Sequence, residues 1–148
     1  MNHHGKSRRV VLMAALCLVA VIAIVKVSRA SIGTISKSDL SGPWLITLQG
    51  NTGCGSASML ATATLNTNGT GPATLTTHGQ CGNSVATGQT FTIQSLNSNG
   101  SGTVNLSCGS GCGWDLTIQV SPDRSTMNLV DVATVNPGNF IAGVAVHQ

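Results

Sequence analysis

Tyrosine and glutamate are missing from this chain altogether, and only 7% of its residues are charged. Two tryptophans, two phenylalanines and four aspartates are all it has of aromatic and acidic chemistry. These absences exclude whole classes of function. Without a second carboxylate beside Asp115, a nucleophile motif or a phosphate-binding glycine loop, general acid–base and phosphoryl-transfer catalysis lack their parts. The chain does not read as an enzyme. His78 and Asp115 are the one pair that the reading brings near each other, and a lone loop histidine is usually solvated.

Long hydrophobic runs are also scarce: there is one, from Val10 to Val25, preceded by Lys6, Arg8 and Arg9. Ser28-Arg29-Ala30 then offers small residues where a signal peptidase reads, with cleavage before Ser31. Residues 1–30 are expected to be an export signal. The alternative is an uncleaved membrane anchor, although sixteen helical residues span only about 24 Å of a roughly 30 Å hydrocarbon core. Either places the rest of the chain outside the cytoplasm, in the periplasm or secreted, or tethered to a membrane and facing outward. Ser7-Arg8-Arg9 also suits the twin-arginine route, which stays open beside the general one.

The basic balance belongs to that segment. Beyond residue 30 the charges are Lys37 and Arg124 against Asp39, Asp115, Asp123 and Asp131, two minus four, or −2. Such a chain has no electrostatic footprint for phosphates, which argues against nucleic acid as a partner.

What is present is a repeat. Leu65 to Gly82 and Leu96 to Gly113, 31 residues apart, share eight identities in eighteen positions and three Thr/Ser exchanges. Each copy carries an Asn-Gly pair, Asn68-Gly69 and Asn99-Gly100, between strand-like runs, and that pair predicts a β-hairpin with a two-residue type I′ turn.

Eight strand-like runs follow a polar lead-in at residues 31–43. The first alternates Trp44, Ile46 and Leu48 against Leu45, Thr47 and Gln49. The second allows two phases, Met59, Ala61 and Ala63 inward or Leu60 and Thr62 inward. The repeat favours the latter, because Phe91 and Ile93 fall opposite Leu60 and Thr62, and a bulge would reconcile both. Ala73 and Leu75 mark the third strand, Phe91 and Ile93 the fourth, Val104, Leu106 and Cys108 the fifth, and Trp114, Leu116, Ile118 and Val120 the sixth. After a type I turn at Ser121-Pro122-Asp123-Arg124 come Met127 and Leu129. A Pro137-Gly138 turn then leads to Phe140, Ala142, Val144 and Val146, read as the inner face of the last strand. Nothing reads as a helix.

A meander of eight strands loses its bare edges by pairing the last with the first, so the fold class is all-β: an eight-stranded antiparallel up-and-down barrel over residues 44–148. The turns at 68, 99 and 122 then lie at one end. The loops at 50–56, 78–88, 109–111 and 134–138 lie at the other, with Cys54, Cys81, Cys108 and Cys112. Four cysteines in an exported domain imply disulfides. Cys108 with Cys112 and Cys54 with Cys81 form one pairing of the three possible. His78, Cys81, Cys108 and Cys112 have spacings that also suit zinc, the less favoured reading outside the cytoplasm. No cofactor is called for.

Gly42-Pro43-Trp44 at the start of the first strand resembles the Gly-x-Trp opening of lipocalins, and a short eight-stranded meander is similar to the lipocalin and avidin barrels, the calycins. The resemblance implies a container whose tryptophan plugs the closed end near an arginine, here a Trp44–Arg124 cation–π contact. The cysteine-bearing end would then be the open mouth. Phe91, Trp114 and Phe140 are its candidate ligand-binding residues, and a small apolar molecule the corresponding ligand. The same aromatics would equally fill the core of a barrel this narrow. The alternative function is a structural or adhesive cell-surface protein without a pocket, suited by an exterior of Thr, Ser and Asn.

Overall fold

The computed structural model describes residues 33–53, 55–109, 112–131 and 140–148, with only the backbone of Cys112. Residues 1–30, expected to be an export signal, lie outside the described residues with Cys54, the loop at 110–111 and the Pro137-Gly138 turn. Eight antiparallel strands pair each with its neighbour in sequence, and the last pairs with the first to close a barrel. They are β1 (Gly42–Asn51), β2 (Ser56–Leu65), β3 (Thr70–Gly79), β4 (Gly82–Leu96), β5 (Ser101–Gly109), β6 (Cys112–Val120), β7 (Thr126–Asp131) and β8 (Phe140–His147). The all-β meander expected from the alternating runs is the fold observed.

Directly paired residues share a face, so closure commits every strand to one phase. Ile46 pairs with Ala61 on one side and with Ala145 on the other, and all three are buried. This corrects two readings. In β2 the inward set is Met59, Ala61, Ala63 and Leu65, while Leu60 is 44% exposed. The repeat misleads here because the bulge falls in only one copy. The β4–β5 register slips between Ile93 and Ser95, whereas β2 and β3 pair without interruption. Phe91 and Ile93 are thus inward on the odd phase, and Leu96 returns inward on the even one. In β8 the inner residues are Ile141 and Ala145; Phe140, Ala142, Val144 and Val146 face outward. From Phe140 to Val146 β8 is apolar or small, so its own sequence carries no alternation, and pairing with β1 chooses the phase.

The interior is filled by its own side chains. Trp44, Ile46, Leu48, Leu75, Phe91, Ile93, Leu106, Leu116, Ile118, Met127, Leu129 and Ile141 are each no more than 2% exposed. Eight strands leave a lumen just wide enough for side chains to fill.

The lead-in belongs to this core. Ile35 and Leu40 are buried, and a short 3-10 helix, Lys37–Leu40, closes the end of the barrel where the tight turns lie. The Trp44 indole N–H donates to the Leu40 carbonyl at 2.8 Å, and the Lys37 ammonium donates to the Ile93 and Gln94 carbonyls at the β4 bulge. Trp44 stacks on His147, with centroids 4.7 Å apart and planes 8° from parallel. The expected Trp44–Arg124 contact is replaced: Arg124 lies 3.6 Å from Asp39 and donates to the Thr34 carbonyl, so it holds the lead-in rather than the tryptophan.

The three tight turns share one geometry, and it is not type I′. Gly69, Gly100 and Arg124 donate their N–H to the carbonyls of Asn66, Asn97 and Ser121. Only these fourth residues have positive φ, at 82°, 84° and 63°, whereas type I′ needs it at both central positions. Each is a type I turn followed by a left-handed residue. The third-position side chain fixes it: Asn68, Asn99 and Asp123 accept the N–H of Thr70, Ser101 and Ser125. Beyond the first two turns, Gly71 and Gly102 occupy matching places in the repeat. A Cβ on them would stand 1.7 Å from the Thr64 carbonyl oxygen and 2.2 Å from that of Ser95. Both strands bend there so tightly that only glycine fits.

The loop expected at 78–88 is mostly strand. β3 and β4 continue to Gly79 and Gly82 around a two-residue turn, with a bulge opposite Thr74. Its Gly, Ser and Asn content reads as loop, and pairing overrides that signal.

Two predictions follow from this packing. Gly102→Ala should lower stability by about 1–3 kcal/mol in urea denaturation, because the neighbouring backbone must move. The second concerns acid. Hydrogen bonds from the Ser121 hydroxyl, then the Ser125 hydroxyl and N–H, lower the Asp123 carboxyl to about 2. The Ser36 N–H and hydroxyl, with Arg124, lower Asp39. A depressed carboxylate stabilises the fold fully above its unfolded value and loses that contribution as pH falls through its folded one. Urea midpoints should therefore be level from pH 7 to about 4 and fall between about 4 and 2, with a smaller fall in Asp123→Asn.

Candidate functional site

The end of the barrel opposite the lead-in collects the remaining sulfur, imidazole and exposed aromatic chemistry. Cys81 lies in the β3–β4 turn, Cys108 near the end of β5, and β6 begins at Cys112. Cys81 and Cys108 are each engaged with a neighbour, so neither is free. Among the described residues no group of three or more His, Cys, Asp or Glu side chains could hold a metal ion.

The candidate aromatics divide between two surfaces. Phe91 and Trp114 both pair with Leu106, on β4, β5 and β6, and form an inward row across those strands. Phe91 is 1% exposed and wholly core, whereas Trp114 is half-buried and packs on the core from above with Cys108 and Ala86. Phe140 is not with them. It pairs with Asn51 on the outer face and is 63% exposed. Side chains as tightly covered as those along the axis adjoin no water-sized space, so an apolar molecule has no room beside them.

Among the described residues, space exists both inside and outside the rim. Inside it, a cup of about 190 Å³ is lined by Thr52, Ala57, Thr77, Cys81, Asn83 and Ser84. Outside it, a cleft of about 680 Å³ crosses β8, β1, β2 and β3, lined by Phe140, Gln49, Ser56, Ser58, His78 and Gln80. A smaller groove of about 240 Å³ continues down the wall past Thr47, Leu60 and Thr76. The volume of the cleft lies within the range usual for small-molecule sites.

Strand alternation explains why these residues meet. Gln49, Ser58 and His78 occupy successive outward positions in one cross-strand row, through the pairs Gln49 with Ser58 and Ser58 with His78. Phe140 joins at the top because β8 pairs with β1 there. No lining side chain except His78 can carry a charge. The cleft therefore offers one aromatic face among amides, hydroxyls and an imidazole, which donate and accept hydrogen bonds. Ser58 spends its hydroxyl on the His78 carbonyl at 3.5 Å, a long bond that a better acceptor would displace.

The acid–base pair considered from sequence does not form. Asp115 faces outward on β6, where the Asn105 and Gln94 amides donate to it at 2.8 and 3.4 Å. His78 lies three strands away on β3. The sequence did not reveal Gln49, Ser58 and Gln80 as a group, since they read only as the polar half of three alternations. The signal that existed was Phe140, a large aromatic at the start of a strand next to the cysteine-bearing loops. Neither a protein-family model nor a curated protein matches the chain, so the assignment of this cleft rests on its own geometry.

Proposed function

We propose that this chain is an exported, disulfide-stabilised β-barrel that binds a small neutral, hydroxyl-rich molecule, such as a saccharide, at its cysteine-bearing end. The observation that carries the reading is Phe140, a strongly exposed aromatic in a cleft whose other functional side chains are amides, hydroxyls and one imidazole. A pyranose ring presents C–H groups on one face and hydroxyls around its edge. Phe140 suits the face, and Gln49, Ser58, His78 and Gln80 suit the edge. An apolar ligand in the lumen fits less well, because the barrel axis is occupied by Leu, Ile, Phe and Trp side chains. The pocket-free adhesive surface protein keeps one observation in its favour, the Thr, Asn and Gln wall of β4, β5 and β6, whose groups largely bond to one another.

Export and disulfides support each other in this reading. Cys54 with Cys81 would tie the first loop to the β3–β4 turn, below the Gln80 edge of the cleft, and Cys108 with Cys112 would close the β5–β6 hairpin. In the chain-entropy model the longer link is worth about 3.5 kcal/mol and the shorter about 2 kcal/mol.

Two measurements test the proposal. Phe140→Ala should abolish binding to the best ligand found on a saccharide array, with the thermal midpoint unchanged; retention of binding by the variant would rule out this cleft. Separately, a denatured mass short by four hydrogens and a peptide map should show the two proposed links, and reduction should lower the midpoint of denaturation.

A further inference from the structure

The closed barrel has an uneven rim, and one stretch of strand edge is left bare by it. β4 is fifteen residues long, and β3 accompanies it from Gly82 to Thr92. On its other side β5 begins to pair only at Phe91. Among the described residues, no strand pairs with that second edge between Gly82 and Thr90. Side chains cover its lower part: the Thr90 N–H donates to the Ser107 hydroxyl, and the Gln89 amide donates to the Thr87 carbonyl while accepting from Ser107. The upper part, residues 82–86, rises past the end of β5. At about 3.3 Å per residue those five residues carry the hairpin roughly 16 Å further.

A bare edge is a template for another strand, and proteins usually guard it with lysine, proline or an inward charge. Gly82-Asn83-Ser84-Val85-Ala86 contains none of these. Instead it presents Val85, 66% exposed, the largest value among the exposed large hydrophobic residues described.

We propose that this edge is an interface for a second copy of the chain, with two β4 strands pairing antiparallel across a twofold axis near Ser84. Alternate residues of an edge strand turn N–H and C=O outward, so two identical edges running in opposite directions offer each other donors and acceptors in register. The sequence suits self-pairing. No charge opposes its own copy, every side chain is small or β-branched, and a twofold at Ser84 brings Asn83 of each copy beside Val85 of the other. The height of the β3–β4 hairpin above β5 keeps the two barrel walls apart. The pair would join both sheets into one continuous surface with the Phe140 clefts at separate places on it. This interface does not depend on what the cleft binds.

The contact is one strand wide, so the association is weak and concentration-dependent. The test is sedimentation equilibrium and native mass spectrometry of the chain recovered from an oxidising export compartment, across a hundredfold concentration range. The expected result is a monomer–dimer equilibrium that Val85→Lys weakens at least tenfold without moving the thermal midpoint. Amide exchange at residues 83–86 should slow as concentration rises. Val144→Lys on the outer wall of β8 should leave association unchanged. A chain monomeric throughout that range would overturn the proposal, and so would a dimer that Val144→Lys disrupts and Val85→Lys does not.

Discussion

The pairing of β8 with β1 is the constraint on which the rest of this structure depends. A meander of eight strands without that seam is an open sheet, free to bury either face; with it, every strand shares one inside. Ile46 anchors the seam between Ala61 and Ala145, and Gly143 lets it close, since a Cβ there would stand 1.8 Å from the Thr47 carbonyl oxygen. Once closed, the lumen holds little more than its own side chains. Leu, Ile, Met, Phe and Trp occupy it along the axis, and the lead-in supplies Ile35 and Leu40 as the last pieces.

The two ends of the barrel differ in physical character. At the lead-in end, three turns of one type are each fixed by an Asn or Asp side chain. Trp44, Leu40, His147 and Lys37 then tie the lead-in to the end of β8 and to the β4 bulge. That end is a stopper. At the other end strands finish at unequal heights, β3 and β4 standing above β5, and three features gather there: Phe140 with its polar neighbours on the outer wall, the cup within, and the bare edge of β4. Binding and association are proposed for this end because, among the described residues, it gathers an exposed aromatic, a polar cleft and an unpaired strand edge.

The exterior also divides around the barrel. Outward positions on β5 and β6 are Thr, Asn, Gln, Ser and Asp, largely bonded to one another, whereas β7, β8 and β2 expose Val130, Val144, Val146 and Leu60. A barrel sealed by its own core does not need such asymmetry for stability. The polar side is the one over the inward row of Phe91, Leu106 and Trp114, and the apolar side adjoins the cleft.

Much of the fold was written locally. Alternation in β1, β5 and β6 gave their inward faces directly, because each contrasts Ile, Leu, Val or Trp with Thr, Asn, Asp or Gln. The Asn-Gly pairs placed two hairpins, and an even number of strands then put the cysteines at one end. Where local contrast was absent the sequence was silent or misleading. β8 is apolar at nearly every position, so only its pairing with β1 turned Phe140 outward. The repeat carried the β4 phase onto β2 because a one-residue bulge, set by how β4 crosses β5, is invisible in a comparison of residues. The turn type was misread although its determinant is local: Asn68 and Asn99 accept the N–H of Thr70 and Ser101, and only Gly69 and Gly100 are left-handed. The sequence by itself determined strand number, hairpin order and the chemistry of each end, since these follow from period-two contrast and turn residues. Only the closed tertiary structure decided which face of an unpatterned strand is inside and which outward side chains become neighbours in a cleft, because both depend on partners far away in the chain.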